Sequence, residues 1–175
     1  KVCNSAELQP ALAEADIYDR KLVIEKDAGN AREVECSVLG NDEPIASVPG
    51  EIVPSREFYD YMAKYHDDDS QLIIPARISP KTTRKVQELA VQVFKALDCA
   101  GMARVDFFVD KPTEEVYINE INTIPGFTPI SMYPKLWEAS GISYTDLIDR
   151  LIQLAIDRHR DKQRNVTSFR PKERK

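Results

Sequence analysis

The alternation of apolar and polar side chains across residues 101–122 constrains this chain more than any other feature. In Arg104-Val105-Asp106-Phe107-Phe108-Val109, Arg104 and Asp106 fall on one side of an extended chain, and Val105, Phe107 and Val109 on the other, because successive strand side chains point to opposite faces. Residues 115–121 repeat the pattern. Glu120 and Asn122 share a face, and Ile121 points away. The segment 111–115 suits a hairpin loop, which predicts antiparallel strands with Asp106 opposite Glu120 and diagonal to Asn122. Two carboxylates, an amide and a guanidinium then share one sheet face. Like charges directly opposite destabilise a sheet, so this face calls for a counter-charge. Its donors are hard oxygens, suited to Mg²⁺ or Mn²⁺ rather than zinc. A solvated network of Arg104, Asp106 and Glu120 would use the same residues, since antiparallel sheets commonly expose a polar face. Pro125-Gly126 follows at once, and glycine permits close backbone approach to a ligand. Thr123, Thr128 and Ser131 add hydroxyls around that turn. Mg²⁺ often combines one or two carboxylates with substrate phosphates, so phosphate chemistry is the expectation.

The flanking segments predict the rest of the fold. Residues 5–16 read as a helix opened by a Ser N-cap with Glu7 nearby, burying Leu8, Leu12, Ala15 and Tyr18. Residues 22–26 read as a short strand, and 27–31, containing Gly29-Asn30, as a turn or hinge. Residues 33–39 and 45–52 read as two strands joined by Gly40-Asn41-Asp42-Glu43-Pro44. Residues 54–70 form a long polar stretch with four Tyr and Phe, a length that is often functional. Ser79-Pro80 opens a helix whose core stripe is Val86, Leu89, Ala90, Val93, Phe94 and Leu97. Ser143 with Asp146 is a capping box opening another, with Leu147, Ile148, Leu151, Ile152 and Ala155 inward. Hairpins mixed with helices predict an α+β fold, a largely antiparallel sheet flanked by helices.

Charge and length narrow the function. The 175 residues suit one domain rather than two, and the net charge of -5 is unevenly spread. Residues 158–175 hold eight Lys/Arg against two Asp/Glu, so the remaining body is strongly acidic. An acidic body argues against nucleic acid as a partner. The basic end reads as a solvated helix terminus. Apolar runs are too short for a membrane helix. Cys3, Cys36 and Cys99 have no metal or redox spacing, which points to a reducing cytoplasm. The chain starts at Lys1 without a Met or an apolar leader, so a fragment is expected.

Two runs carry a family resemblance: 101–108 (Gly-Met-Ala-Arg-Val-Asp-Phe-Phe) and 117–128 (Tyr-Ile-Asn-Glu-Ile-Asn-Thr-Ile-Pro-Gly-Phe-Thr). They resemble the C-terminal lobe of the ATP-grasp fold, and more closely the D-alanine-D-alanine ligases. Gly50-Glu51-Ile52 followed by residues 58–65 (Phe-Tyr-Asp-Tyr-Met-Ala-Lys-Tyr) is similar to that family's mobile loop. The resemblance implies that residues 1–26 end a central lobe and hinge strand, that 27–157 form the catalytic lobe, and that 158–175 are a basic tail. It implies two Mg²⁺ ions, replaceable by Mn²⁺, held by Asp106, Glu120 and Asn122, with Glu120 as the bridge. It implies ATP as co-substrate, with Glu25, Lys26 and Ala28 at the adenine, Glu33 at the ribose, and Phe58 near the base. Arg104 and the Gly126 N–H resemble the groups that hold the transferred phosphate and the oxyanion. Ser131 and the Met132 backbone resemble the site of the second alanine's carboxylate. Lys64 resembles a phosphate-contacting lysine, and Tyr65 the tyrosine that closes the loop. Tyr65, where other members carry His, implies an amine acceptor. The implied activity joins two D-alanines through an acyl phosphate for peptidoglycan precursors, in the cytoplasm, with a homodimer when full length. Another ATP-grasp carboxylate–amine ligase, or a non-catalytic lobe, would share the metal motif. Because the family's N-terminal domain and phosphate loop have no counterpart here, the segment alone is expected not to ligate D-alanine.

Overall fold

The computed structural model describes residues 1–53, 71–128, 130–166 and 168. Its centre is a ten-residue strand, β1 (Ala31–Gly40). The segments β2 (Ile45–Ala46), β3 (Gly50–Val53) and β4 (Gln71–Ile73) lie on one side or at one end of it. On its other side runs β5 (Gly101–Asp110), followed outward by β6 (Val116–Asn122). The sheet order is β4-β3-β1-β5-β6, with β2 paired to β1, and every pairing is antiparallel. The expected α+β fold with an antiparallel sheet is what the molecule shows.

The two sheet faces have different coverings. Val34, Cys36, Val38, Ala103, Val105, Phe107 and Val109 share one face and are essentially inaccessible to solvent. Helix α2 (Pro80–Ala96) lies on it through Val86, Ala90 and Phe94. Ser79 caps this helix by accepting from the Thr82 N–H, and Pro80 stands in its first turn. Leu89 and Val93 pack at the edge of this core. Leu97, expected in the same stripe, is instead 59% exposed, because it is the C-cap residue, where the chain leaves helical spacing. On the opposite face, helices α3 (Met132–Ala139) and α4 (Tyr144–Gln163) cover one end through Tyr133, Trp137 and Leu147, packed with Leu39 and Ile142. The rest of that face holds Glu33, Glu35, Arg104 and Asp106.

Four expectations need correction. The strand over residues 45–52 is split, because Pro49 has no N–H for the ladder; Ser47 pairs with Ser37 through both backbone and hydroxyl, and pairing resumes at Gly50. The segment 22–26 forms no strand. No described strand runs beside it to complete a ladder, and Val23 and Ile24 lie exposed. Helix α1 (Ser5–Asp16) forms, but Asn4 rather than Ser5 is its N-cap, and Glu7 reaches back to the Cys3 N–H and the Asn4 side chain. None of its residues is buried: Leu8 and Leu12 are half-buried, and Ala15 and Tyr18 exposed. On α4 the inward row is Leu147, Leu151 and Leu154, whereas Ile148, Ile152 and Ala155 are exposed. The helix meets the sheet end along one narrow row, so the adjacent row faces outward.

Glu51 ties the β3 side of the sheet together. It accepts from Arg32 Nη1 at 2.9 Å, from Arg77 Nε at 3.0 Å and from Arg77 Nη2 at 2.9 Å, and it is 2% exposed. Burial alone would raise its pKa, but the bonds from Arg77 and Arg32 outweigh burial and hold it down at about 2. A carboxylate depressed from 4.5 to about 2 contributes stability that is complete above pH 4.5 and lost as pH falls toward 2. Glu51→Gln is therefore expected to be less stable than the parent above pH 4.5 and to lose less stability on acidification. Urea titrations across that window check this, and parallel curves for the two proteins would contradict it.

Candidate active site

The β5–β6 hairpin builds the site. Arg104 pairs with Asn122 and Asp106 with Glu120, as the alternation predicts. Beyond Asp106 the register slips: Phe107 pairs with Ile118, leaving Asn119 as the extra residue. Such a bulge bends the strand and re-aims neighbouring side chains. Arg104 makes a two-point contact with Asp106, Nε to Oδ1 and Nη2 to Oδ2, both at 2.7 Å. Its Nε also lies 3.2 Å from Oε2 of Glu35 on the neighbouring strand β1. Burial opposes the Arg104 charge, but the bonds to Asp106 and the charges of Glu35, Asp106 and Glu120 outweigh it and raise its pKa further. Glu33, one pleat along β1, has its pKa raised by burial and then by the Asp106 charge.

The chain leaving β6 is shaped for close approach. Asn122 Oδ1 accepts from the Ile124 N–H at 3.0 Å, turning the strand end toward Pro125 and Gly126. A Cβ on Gly126 would lie 2.8 Å from Ser131 Oγ, so the glycine leaves that space to the hydroxyl. Ser131 stands at the N-cap position of α3, yet its hydroxyl makes no cap bond. It accepts instead from the Thr128 N–H at 3.0 Å and lies 2.8 Å from Thr128 Oγ1. The Met132 side chain is buried with Ile52 and Leu136.

Beside this hairpin lies an open cleft of about 990 Å³. It is lined by Glu33, Phe108 and Glu120 from the sheet, by Glu25, Lys26 and Ala28 from the segment before β1, and by Leu8 and Leu12 of α1. The apolar row of α1 thus borders a cleft rather than a core. Asp27 Oδ1 accepts from the Gly29 N–H, and Gly29 has φ +63°, so the wall turns sharply into β1. The structure therefore brings Glu25, Lys26, Ala28, Glu33 and Glu120 to one cleft, with Arg104, Asp106 and Asn122 on the strands at its edge. Phe58, Lys64, Tyr65 and the end of the basic tail lie outside the described residues. Sequence reasoning missed Glu35 and Phe108 as site residues. Phe108 alternates with Arg104 and Asp106 along β5 and could have been found from that spacing, whereas Glu35 becomes legible only once β1 is known to pair with β5.

The antiparallel sheet with helices on both faces matches the C-terminal ATP-grasp lobe of solved D-alanine-D-alanine ligase structures. The chain belongs to the family described as D-ala D-ala ligase C-terminus, whose model matches residues 1–153. It is 61% identical over 158 residues to a D-alanine--D-alanine ligase of Clostridium novyi, covering 90% of this chain and 46% of that protein. It is 58% identical over 172 residues to one of Heliobacterium modesticaldum, covering 98% and 47%. The D-alanine-D-alanine ligase structure from Coxiella burnetii superposes with a TM-score of 0.81 at 45% identity, over 93% of this chain and 42% of that one. A Bacillus anthracis D-alanine--D-alanine ligase complexed with ATP gives 0.73 at 30% identity, over 92% and 51%. The chain thus spans about half the length of these relatives.

Proposed function

We propose that this chain is the C-terminal half of a cytoplasmic, ATP-dependent ligase that joins two D-alanines through an acyl phosphate. The observation that carries this reading is Asp106 facing Glu120, with Arg104 and Asn122 beside them, at the rim of a cleft large enough for a nucleotide. In this reading Glu25, Lys26 and Ala28 contact the adenine and Glu33 the ribose, so the γ-phosphate reaches the β5–β6 hairpin. Phe58, Lys64 and Tyr65 are assigned to the loop that covers ATP and the second alanine.

The donor set fits Mg²⁺. It offers two carboxylates directly opposite one another and an amide oxygen, all hard ligands. Among the described residues no three His, Cys, Asp or Glu side chains converge on a metal by themselves, so the nucleotide phosphates would complete the coordination. Asp106, Glu120 and Asn122 would hold two ions, which would neutralise phosphate charge. Arg104 orients the γ-phosphoryl group toward the carboxylate of the first D-alanine and offsets charge on its oxygens. The second alanine's carboxylate rests on the Ser131 hydroxyl and the Met132 main chain. Its amine attacks the acyl phosphate, and Arg104 and the Gly126 N–H stabilise the tetrahedral oxyanion until phosphate leaves.

The test is D-alanine- and Mg²⁺-dependent phosphate release from ATP by the full protein that carries this chain, with D-alanyl-D-alanine identified as product. Folded protein that hydrolyses ATP without forming dipeptide would overturn the reading. Gly126→Ala is a finer probe. Its Cβ would push on Ser131 Oγ, and a displacement of this size is expected to lower kcat/KM for the second alanine about ten- to a hundredfold. If Gly126→Ala and the parent have the same kcat/KM, the turn does not position substrate.

A further inference from the structure

We infer that Glu35 is a positioning residue that holds the Arg104 guanidinium in place when Asp106 turns from it to a metal ion. This rests on the reading of Asp106 as a metal ligand. Asp106 has two oxygens, and both are committed to Arg104, at 2.7 Å each. A cation bound through the same oxygens competes with the guanidinium for their lone pairs and loosens that two-point contact. Loosening it takes two hydrogen bonds from a guanidinium whose side chain is only 13% exposed, which is costly for a buried charge unless a second acceptor stands close by.

Glu35 is the group placed to take over. It sits directly across from Asp106 in the β1–β5 register and is 6% exposed. Its Oε2 lies 3.2 Å from Arg104 Nε. That nitrogen carries a single hydrogen, now directed to Asp106 Oδ1. When Asp106 leaves, the same hydrogen has Glu35 within reach with little side-chain motion. Glu35 thus lowers the cost of freeing Asp106 and keeps Arg104 aimed at the position of the transferred phosphate. Glu35 acts through Arg104, whose Nε its Oε2 approaches to 3.2 Å.

The test is a double-mutant cycle on Mn²⁺ affinity, measured by electron paramagnetic resonance in the ATP complex of the full protein. Glu35→Gln is expected to weaken Mn²⁺ binding about tenfold when Arg104 is present, and less than about twofold in the Arg104→Gln background, where nothing competes for Asp106. Equal weakening in both backgrounds would mean that Glu35 acts on the metal by charge alone, and no weakening in either would mean no role; both overturn the inference. Glu35→Asp keeps the charge but shortens the reach, and it is expected to weaken binding only when Arg104 is present, so the cycle can be completed if the Gln variant does not fold. Glu120→Gln separates the two readings. Should it leave Mn²⁺ affinity unchanged, the metal assignment fails. Should it abolish binding while Glu35→Gln shows no dependence on Arg104, only the role of Glu35 fails.

Discussion

Glu120→Gln is expected, on the proposed reading, to lower kcat of the full protein by on the order of a hundredfold to a thousandfold, the scale seen when one group that stabilises transition-state charge is removed. The substitution is nearly isosteric and takes away only the charge that faces Asp106 across the hairpin. Glu120 is exposed at the rim of the cleft, so the fold should be unaffected, and far-UV circular dichroism and the unfolding midpoint should match the parent. Loss of a charge directly opposite Asp106 should even relieve strand repulsion in the metal-free protein. Arg104→Lys is expected to show a comparable loss of rate for a different reason. A lysine keeps the positive charge but lacks the planar fork that can meet phosphoryl and oxyanion oxygens at fixed geometry. Arg104→Ala is the poorer variant, because it leaves Glu35 and Asp106 without their shared counter-charge and mixes folding loss with catalytic loss. Phosphate release with saturating ATP and D-alanine measures the effect. Turnover within twofold of the parent for both Glu120→Gln and Arg104→Lys would reject the site.

What could be read beforehand follows the range of the interactions. The β5–β6 hairpin joins strands across a five-residue loop, so alternation alone placed Asp106 opposite Glu120. The β1–β5 pairing links residues that are far apart in sequence, such as Glu35 and Asp106, and nothing local encodes that register. Glu35 was therefore invisible as a member of the site, although its Oε2 lies 3.2 Å from Arg104 Nε. Helical periodicity has a similar blind spot. The row Leu8 and Leu12 has the same spacing whether it meets a core or borders a cleft, and here it borders the cleft. On α4 both the Leu147-Leu151-Leu154 row and the Ile148-Ile152 row are apolar, and only the packing against Leu39 and Trp137 selects between them. Residues 22–26 have strand composition, but a strand exists only beside another strand.

Phe94→Ala is expected to destabilise the chain by about 3–5 kcal/mol, the largest stability loss among these variants. Phe94 has no solvent exposure and belongs to the buried cluster between α2 and the apolar face of the sheet, which also holds Val34, Cys36, Val105 and Phe107. Removing the ring loses its transfer free energy and leaves a cavity that rigid strands on one side cannot close. Those strands carry Glu35, Arg104 and Asp106 on their other face, so this core fixes the pleat on which the site stands. The loss is a large share of a typical domain stability of about 5–15 kcal/mol. Leu97→Ala, three residues on, provides the control for helix phase. Leu97 is 59% exposed at the C-cap, and its truncation is expected to change stability by no more than about 0.5 kcal/mol. Urea unfolding of both variants, with slopes unchanged from the parent, tests the contrast. If Leu97→Ala proves as damaging as Phe94→Ala, then the helix lies on the sheet through a different row than Val86, Ala90 and Phe94.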